Sequence, residues 1–241
     1  MAASRVNRAY FAPLHNYQRG ANNAYWNSYY SGQAGIAPPE RPSQFALFAL
    51  SARDTPAFIV DLGCGSGRDS LYLAASGIRT LGVDYSQAAV DANIAKAAAL
   101  GLGGQVSFRR TDVSDLDQVR LLLDEVRERR GDGALCVYSR FFFHAIDEST
   151  QGAALLLIRE LLTRDGDYCV LEFRTDKDRD REKVTPSHYR RYINPDKFID
   201  EARDIYGLHC EYRVEGTGYA VFRSDDAHVV RLVLMVGAIS P

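Results

Sequence analysis

Short apolar runs along this chain alternate with stretches whose apolar positions recur every three or four residues. The runs at 58–62, 80–83, 106–110, 134–139 and 168–173 are brief and rich in strand-forming residues, so each predicts a buried strand. Between them, 67–76, 87–100, 115–129 and 151–162 carry helical spacing. The plainest case is 115–129, where Leu116, Val119, Leu122, Leu123 and Val126 share one face. Ser86 is placed to cap the alanine-rich helix at 87–100, and Gly77 and Gly101 to stop the helices before them. Residues 195–206 predict a further helix with Pro195 in its first turn, and two β-rich runs, 209–215 and 229–236, close the chain around a linker at 216–228. Strands alternating with helices predict an α/β fold, a mostly parallel sheet with helices on both faces.

The ends of this pattern are less regular. Residues 1–42 are rich in Asn, Tyr and Gly and finish in Pro38, Pro39 and Pro42; they form an irregular or short-helical lead segment. Its aromatic cluster, Tyr25, Trp26, Tyr29 and Tyr30, is expected to fold onto the rest of the protein. Residues 43–241 are expected to be a single domain, opening with a short helix capped by Ser43 and running to about Leu50. Residues 174–194 are charged and too long for a plain connection, which suggests a functional loop.

Composition narrows the function. A formal net charge of −2 over 241 residues gives no global positive field, so binding to nucleic acid is disfavoured. No apolar run reaches the roughly 18 residues of a membrane helix, and the first ten residues lack the apolar core of a signal peptide; a cytoplasmic protein without membrane contact is expected. Cys64, Cys136, Cys169 and Cys210 are far apart, which suits free thiols rather than a metal site.

The strongest chemical signal is Asp61-Leu62-Gly63-Cys64-Gly65-Ser66-Gly67, where a strand ends, glycines turn the chain and a helix begins. Glycines there let a ligand approach the backbone. Arg68 stands where a dinucleotide-binding loop would place its third glycine, so a pyrophosphate is a poor guest. Asp61 favours a cationic ligand group. Asp84, followed by Tyr85 at the end of the second strand, suits acceptance from ribose hydroxyls, and Asp112 with Val113 after the third strand suits an adenine amino group.

These residues resemble the class I S-adenosylmethionine (SAM)-dependent methyltransferases. Residues 61–67 resemble that family's first motif, Asp84 its ribose-binding acid and Asp112-Val113 its adenine-side motif. The resemblance implies a seven-stranded, Rossmann-like sheet in the order 3-2-1-4-5-7-6 with strand 7 antiparallel, and SAM as cofactor, leaving as S-adenosylhomocysteine (SAH). Residues 67–74 are similar to the matching helix of small-molecule methyltransferases of the thiopurine and tellurite-resistance type, and the lead-segment aromatics resemble those of their cofactor-covering N-termini; residues 1–42 otherwise match no pattern. On that basis Asp61, Gly63, Cys64, Gly65, Gly67, Asp84, Tyr85, Asp112, Val113 and Ser139 are expected around the cofactor, with Trp26 and Tyr30 over it.

In this family the end of the fourth strand faces the transferred methyl. Here it reads Ser139-Arg140-Phe141-Phe142-Phe143-His144, without the Asn/Asp-Pro-Pro-Tyr/Phe signature of many enzymes that methylate DNA adenine or protein glutamine. No metal ligands follow the catechol-type pattern, so no metal is expected. Arg140 suits either an anionic ligand group or a structural ion pair; His144 suits either a general base or a capping role; Phe141–Phe143 suit core or pocket wall. His188 is a further candidate base. Arg140, Arg174, His188, Tyr189, Arg190 and Tyr219, with the turn at 225–228, are expected to hold the acceptor, while 177–183 is expected to be a solvated charge run. The expected reaction is methyl transfer by in-line displacement to a small, anionic acceptor bearing phosphate or carboxylate. The rivals are a SAM-sensing or partner-binding protein without catalysis, a nucleic-acid methyltransferase, and an aminopropyl transferase, which the basic loop disfavours.

Overall fold

A computed structural model of the protein describes residues 24–31, 41–181, 183 and 189–237. A helix at 24–30 (α1) precedes α2 (Gln44–Ser51). The alternation then begins: β1 (Phe58–Leu62), α3 (Arg68–Ala75), β2 (Arg79–Asp84), α4 (Gln87–Ala99), β3 (Val106–Arg110) and α5 (Leu116–Arg129). It continues through β4 (Leu135–Arg140), α6 (Glu148–Leu161), β5 (Tyr168–Arg174), α7 (Pro195–Tyr206) and β6 (Leu208–Gly216). A short hairpin, β7 (Val221–Phe222) with β8 (Asp225–Asp226), leads to β9 (Val229–Val236).

Seven strands form one sheet in the order β3-β2-β1-β4-β5-β9-β6. β1 pairs in parallel with β2 and β4, and the parallel set extends to β3 and β5; β9 runs antiparallel to both β5 and β6. As β9 is the seventh strand of this sheet, the order is the one the resemblance implies. The hairpin within the 216–228 linker is what the sequence pattern lacks, because strands of two residues carry no readable alternation.

β1 is buried on both faces, as a central parallel strand must be. Phe58, Val60 and Leu62 face a core built with Leu122 and Val126 of α5, Leu155 and Ile158 of α6, and Phe198 of α7. Ile59 faces the opposite core with Phe45 of α2, Leu73 of α3 and Tyr138 of β4. Period-two alternation puts Asp61 on this second face, beneath α3. α6 starts earlier than the apolar spacing suggests, because the Asp147 carboxylate accepts from the Thr150 N–H and caps it.

Far from the glycine loop, buried Asp167 ties the starts of β4 and β5 together. It accepts from the backbone N–H groups of Leu135, Thr163 and Arg164, each at 2.9 Å, and from the buried Arg130 guanidinium. Replacing it strands a buried cation and three amides. Asp167→Ala is expected to lower unfolding free energy by about 3–5 kcal/mol in urea titrations; a loss below about 1 kcal/mol would show that the tie carries little.

Candidate functional site

The parallel register carries β1 and β2 to a common edge, and the chain turns sharply there. Gly63, Gly65 and Gly67 have φ values of +78°, +51° and +71°, which side chains with a Cβ adopt only under strain. The N–H groups of Gly63 and Cys64 both donate to the Val83 carbonyl, at 2.8 and 3.0 Å. The Gly65 N–H donates to Asp84 Oδ2 at 2.8 Å, and the Ser86 N–H to Oδ1 at 2.9 Å. Asn93 of α4 donates to the Gly65 carbonyl at 2.8 Å. Asp84 thus holds the loop through one lone pair on each oxygen and keeps capacity for a ligand's hydroxyls. Burial raises its pKa, opposed by the backbone amides of Ser86, Gly65 and Tyr85.

Asp61 lies under the loop. The Ser70 hydroxyl of α3 donates to its Oδ2 at 2.5 Å. Burial, with smaller contributions from Asp69 and Asp84, pushes the Asp61 carboxyl up to about 8. A carboxyl held this high is poised to ionise beside a cation.

A cavity of about 660 Å³ opens over the loop. Asp61, Gly63, Cys64, Gly65, Asp84 and Tyr85 line one end, joined by Thr111, Asp112 and Val113. The Thr111 hydroxyl is buried with no hydrogen-bond partner among the described residues. Trp26, Tyr29 and Tyr30 of α1 form a wall, with the Trp26 and Tyr30 rings stacked 6.0 Å apart. Tyr30 reaches the loop itself, since a Cβ on Gly65 would collide with its hydroxyl.

The other end lies at the edge of β4 and β5. Phe141 leaves β4 with φ +58°, strained for a non-glycine residue. Its ring sits between two guanidiniums, 4.1 Å from Arg140 and 5.4 Å from Arg174. Both cations are matched. Arg140 donates to Glu172 at 2.8 Å, and Glu172 also accepts from Arg231 at 2.8 Å. Arg174 donates to Asp178 and Asp225, each at 2.7 Å. The buried His144 accepts the Arg174 N–H at Nδ1, 3.2 Å away. That bond assigns the neutral ring's proton to Nε2, which makes Nε2 a donor rather than a base.

Most of the expected site residues converge here. His144, Arg140, Arg174, Tyr189 and Arg190 line the same cavity as the glycine loop and Asp84. Three do not line it. Gly67 caps α3, where a Cβ would strike Asn93; Ser139 donates to the Leu62 carbonyl at 2.8 Å; Tyr219 packs 5.1 Å from the Arg231 guanidinium. His188 lies outside the described residues, as does most of 1–42. The expected solvated run at 177–183 is partly structural, for Asp178 is fully buried under Arg174 and Lys183. Asp225, of the expected turn at 225–228, lines it too, and so do residues that sequence reasoning did not assign, among them Arg68, Asp69, Tyr138 and Phe222. Only Arg68 carried a signal, its place directly after the glycines.

The raised Asp61 carboxyl has a consequence for stability. The folded protein binds a proton that the unfolded chain, with an Asp pKa near 3.8, releases between about pH 4 and pH 8. Stability from this group is therefore fully present below pH 4 and falls as pH rises to 8. Asp61→Asn removes the dependence. Urea midpoints of the two proteins at pH 5 and pH 7.5 should shift against the native protein by up to about 1.4 kcal/mol per pH unit. A difference that does not change with pH would contradict the raised value.

Residues 59–166 match the family model described as a methyltransferase domain. Among solved structures, the chain is similar to one reported with the conversion of a disulfide bond into a thioacetal group during echinomycin biosynthesis, with 19% identity and a TM-score of 0.68 over 90% of this chain and 93% of that one. It is also similar to a SAM-dependent methyltransferase from Anabaena variabilis, with 17% identity and a TM-score of 0.66 over 89% and 95% of the two chains. The CcbJ methyltransferase from Streptomyces caelestis aligns with 17% identity and a TM-score of 0.63 over 90% and 99%. At such identities the structures share the fold, and the family model supplies the methyltransferase domain within it. Residues 59–166 thus carry a methyltransferase domain, set in a seven-stranded sheet of Rossmann-like order.

Proposed function

We propose that the protein methylates a small molecule held between the ends of β4 and β5 and the β7–β8 hairpin. One observation carries this reading: a single cavity of about 660 Å³ has the glycine loop at one end and Phe141, His144, Phe222 and Asp225 at the other. That volume suits a nucleoside-sized cofactor with a small partner. The residues fit SAM by their chemistry. Gly63 and Gly65 bare the backbone, Asp84 has lone pairs for ribose hydroxyls, and Asp61 is an acid awaiting a cation. Asp112 and Val113 would flank the adenine, while Trp26 and Tyr30 would cover the cofactor.

When bound, SAM supplies an electrophilic methyl on a positively charged sulfur, open to in-line attack by the acceptor's lone pair. The chain's task is then alignment and exclusion of water. His144, as a donor at Nε2, would orient the acceptor. Arg174 is held by two buried carboxylates and Arg140 by Glu172, which it shares with Arg231, so both guanidiniums already have hydrogen-bonded anionic partners. A neutral hydroxyl or amine therefore suits this mouth as well as a carboxylate does. Tyr189 and Arg190, which also line the cavity, would close its rim. We assign residues 43–241 to the methyltransferase domain, with 1–42 as its cover and 174–194 as its acceptor loop.

Calorimetry with SAH tests the cofactor end. Asp84→Ala, which removes the hydroxyl acceptors, is expected to weaken binding on the order of 100-fold; unchanged affinity would refute the ribose assignment. Incubation of the protein with methyl-tritiated SAM and a cell extract tests the acceptor end. Label should pass to the low-mass fraction, and label confined to nucleic acid or protein would overturn the small-molecule reading.

A further inference from the structure

The end of the cavity away from the glycine loop is mostly apolar, lined by Phe141, Phe142, Ile146, Ala220, Val221 and Phe222. An acid sits among them. Asp225 lines the same cavity and is only 2% exposed. Its Oδ2 accepts from the Arg174 guanidinium at 2.7 Å. Its Oδ1 is buried and, among the described residues, has no hydrogen-bond partner. A carboxylate oxygen can accept two hydrogen bonds, and one left unmet inside a protein carries a cost that the rest of the fold must offset.

The charges around this acid say what could meet it. Arg174 is held by Asp178 as well as by Asp225, and Lys183 lies 3.2 Å from Asp178. Two cations and two carboxylates thus form a group that is balanced as it stands. A further anion would tip the group negative and face the lone pairs of Oδ1. A hydrogen-bond donor would meet the open oxygen without that repulsion. The support of Asp225 also allows a ligand in. It stands on the β7–β8 hairpin, which pairs only with itself and packs against Phe141 through the flanking Ala220 and Ala227. A hairpin with strands of two residues is marginal on its own, so it can give way to a ligand without disturbing the seven-stranded sheet.

We propose that Asp225 selects the acceptor, its Oδ1 taking the O–H or N–H of a hydroxyl or amine on a largely apolar molecule, and that acceptors presenting a carboxylate or phosphate there are rejected. This rests on the methyl-transfer reading above, and it reverses the anionic acceptor that the basic loop suggested. A site built around a buried acceptor atom discriminates strongly, because a ligand without the donor leaves that atom unpaired.

The test uses the full chain, methyl-tritiated SAM and the low-mass fraction of a cell extract, with labelled products separated on cation and anion exchangers near neutral pH. Label from the native protein should pass both resins if the donor is a hydroxyl, or stay on the cation exchanger if it is an amine. Asp225→Asn keeps an oxygen for Arg174 but puts an N–H donor in place of the open oxygen. It should raise the extract concentration needed for half-maximal labelling about 10–100-fold, while SAH affinity by calorimetry stays within about twofold. Label held by the anion exchanger would overturn the proposal. So would half-maximal labelling unchanged in Asp225→Asn, which would leave the acid a partner for Arg174 and nothing more; both results leave the small-molecule reading standing. Should the variant fail to bind SAH, the resin that holds the native product decides alone. No low-mass label from the native protein would overturn both readings.

Discussion

The hydrogen bond from the Gly65 N–H to Asp84 is the contact on which the rest of the site depends. It joins the ends of two adjacent parallel strands across a turn that only glycines can make without strain. With Gly63 and Cys64 both donating to Val83, the loop folds back on β2 and leaves its outer backbone face open to the cavity. The sheet order explains why this happens here. β1 is central, with β2 on one side and β4 on the other, so the chain diverges at this edge and leaves a crevice.

The second constraint is electrostatic. The walls hold buried carboxylates and guanidiniums in small closed groups: Glu172 between Arg140 and Arg231, and Arg174 between Asp178 and Asp225. Groups of this kind stabilise little in themselves, but removing one member leaves a buried charge unmatched. They hold the strained Phe141 close to two cations and fix that end of the cavity. At the cofactor end Asp61 is raised to about 8, and among the described residues Arg68 has only the 3.5 Å ion pair with Asp69.

Much of this was legible in the order of residues. Buried parallel strands are continuous apolar runs, so β1, β4 and β5 stand out, and the spacing of Leu122, Leu123 and Val126 declares α5. The glycine loop, Asp84 and Asp112-Val113 follow the ends of three successive strands, a local pattern that a linear reading can find. The rest depends on contacts distant in sequence. Arg174 meets its partner Asp225 across 51 residues, and Asp69 meets Tyr138 across 69, so neither the paired arginines nor the occupied Asp69 could be seen in advance. The residue type left His144 open as a base or a cap; the Arg174 amide on Nδ1, which places the neutral ring's proton on Nε2, is a contact no linear reading shows.

The most direct measurement is a crystal structure of the protein with SAH bound. The account requires the ribose hydroxyls within hydrogen-bonding distance of the Asp84 carboxylate and the adenine beside Thr111, Asp112 and Val113, with the Gly65 amide still on Asp84. A nucleoside seated elsewhere in the cavity, or an Asp84 turned away from the sugar, would contradict it.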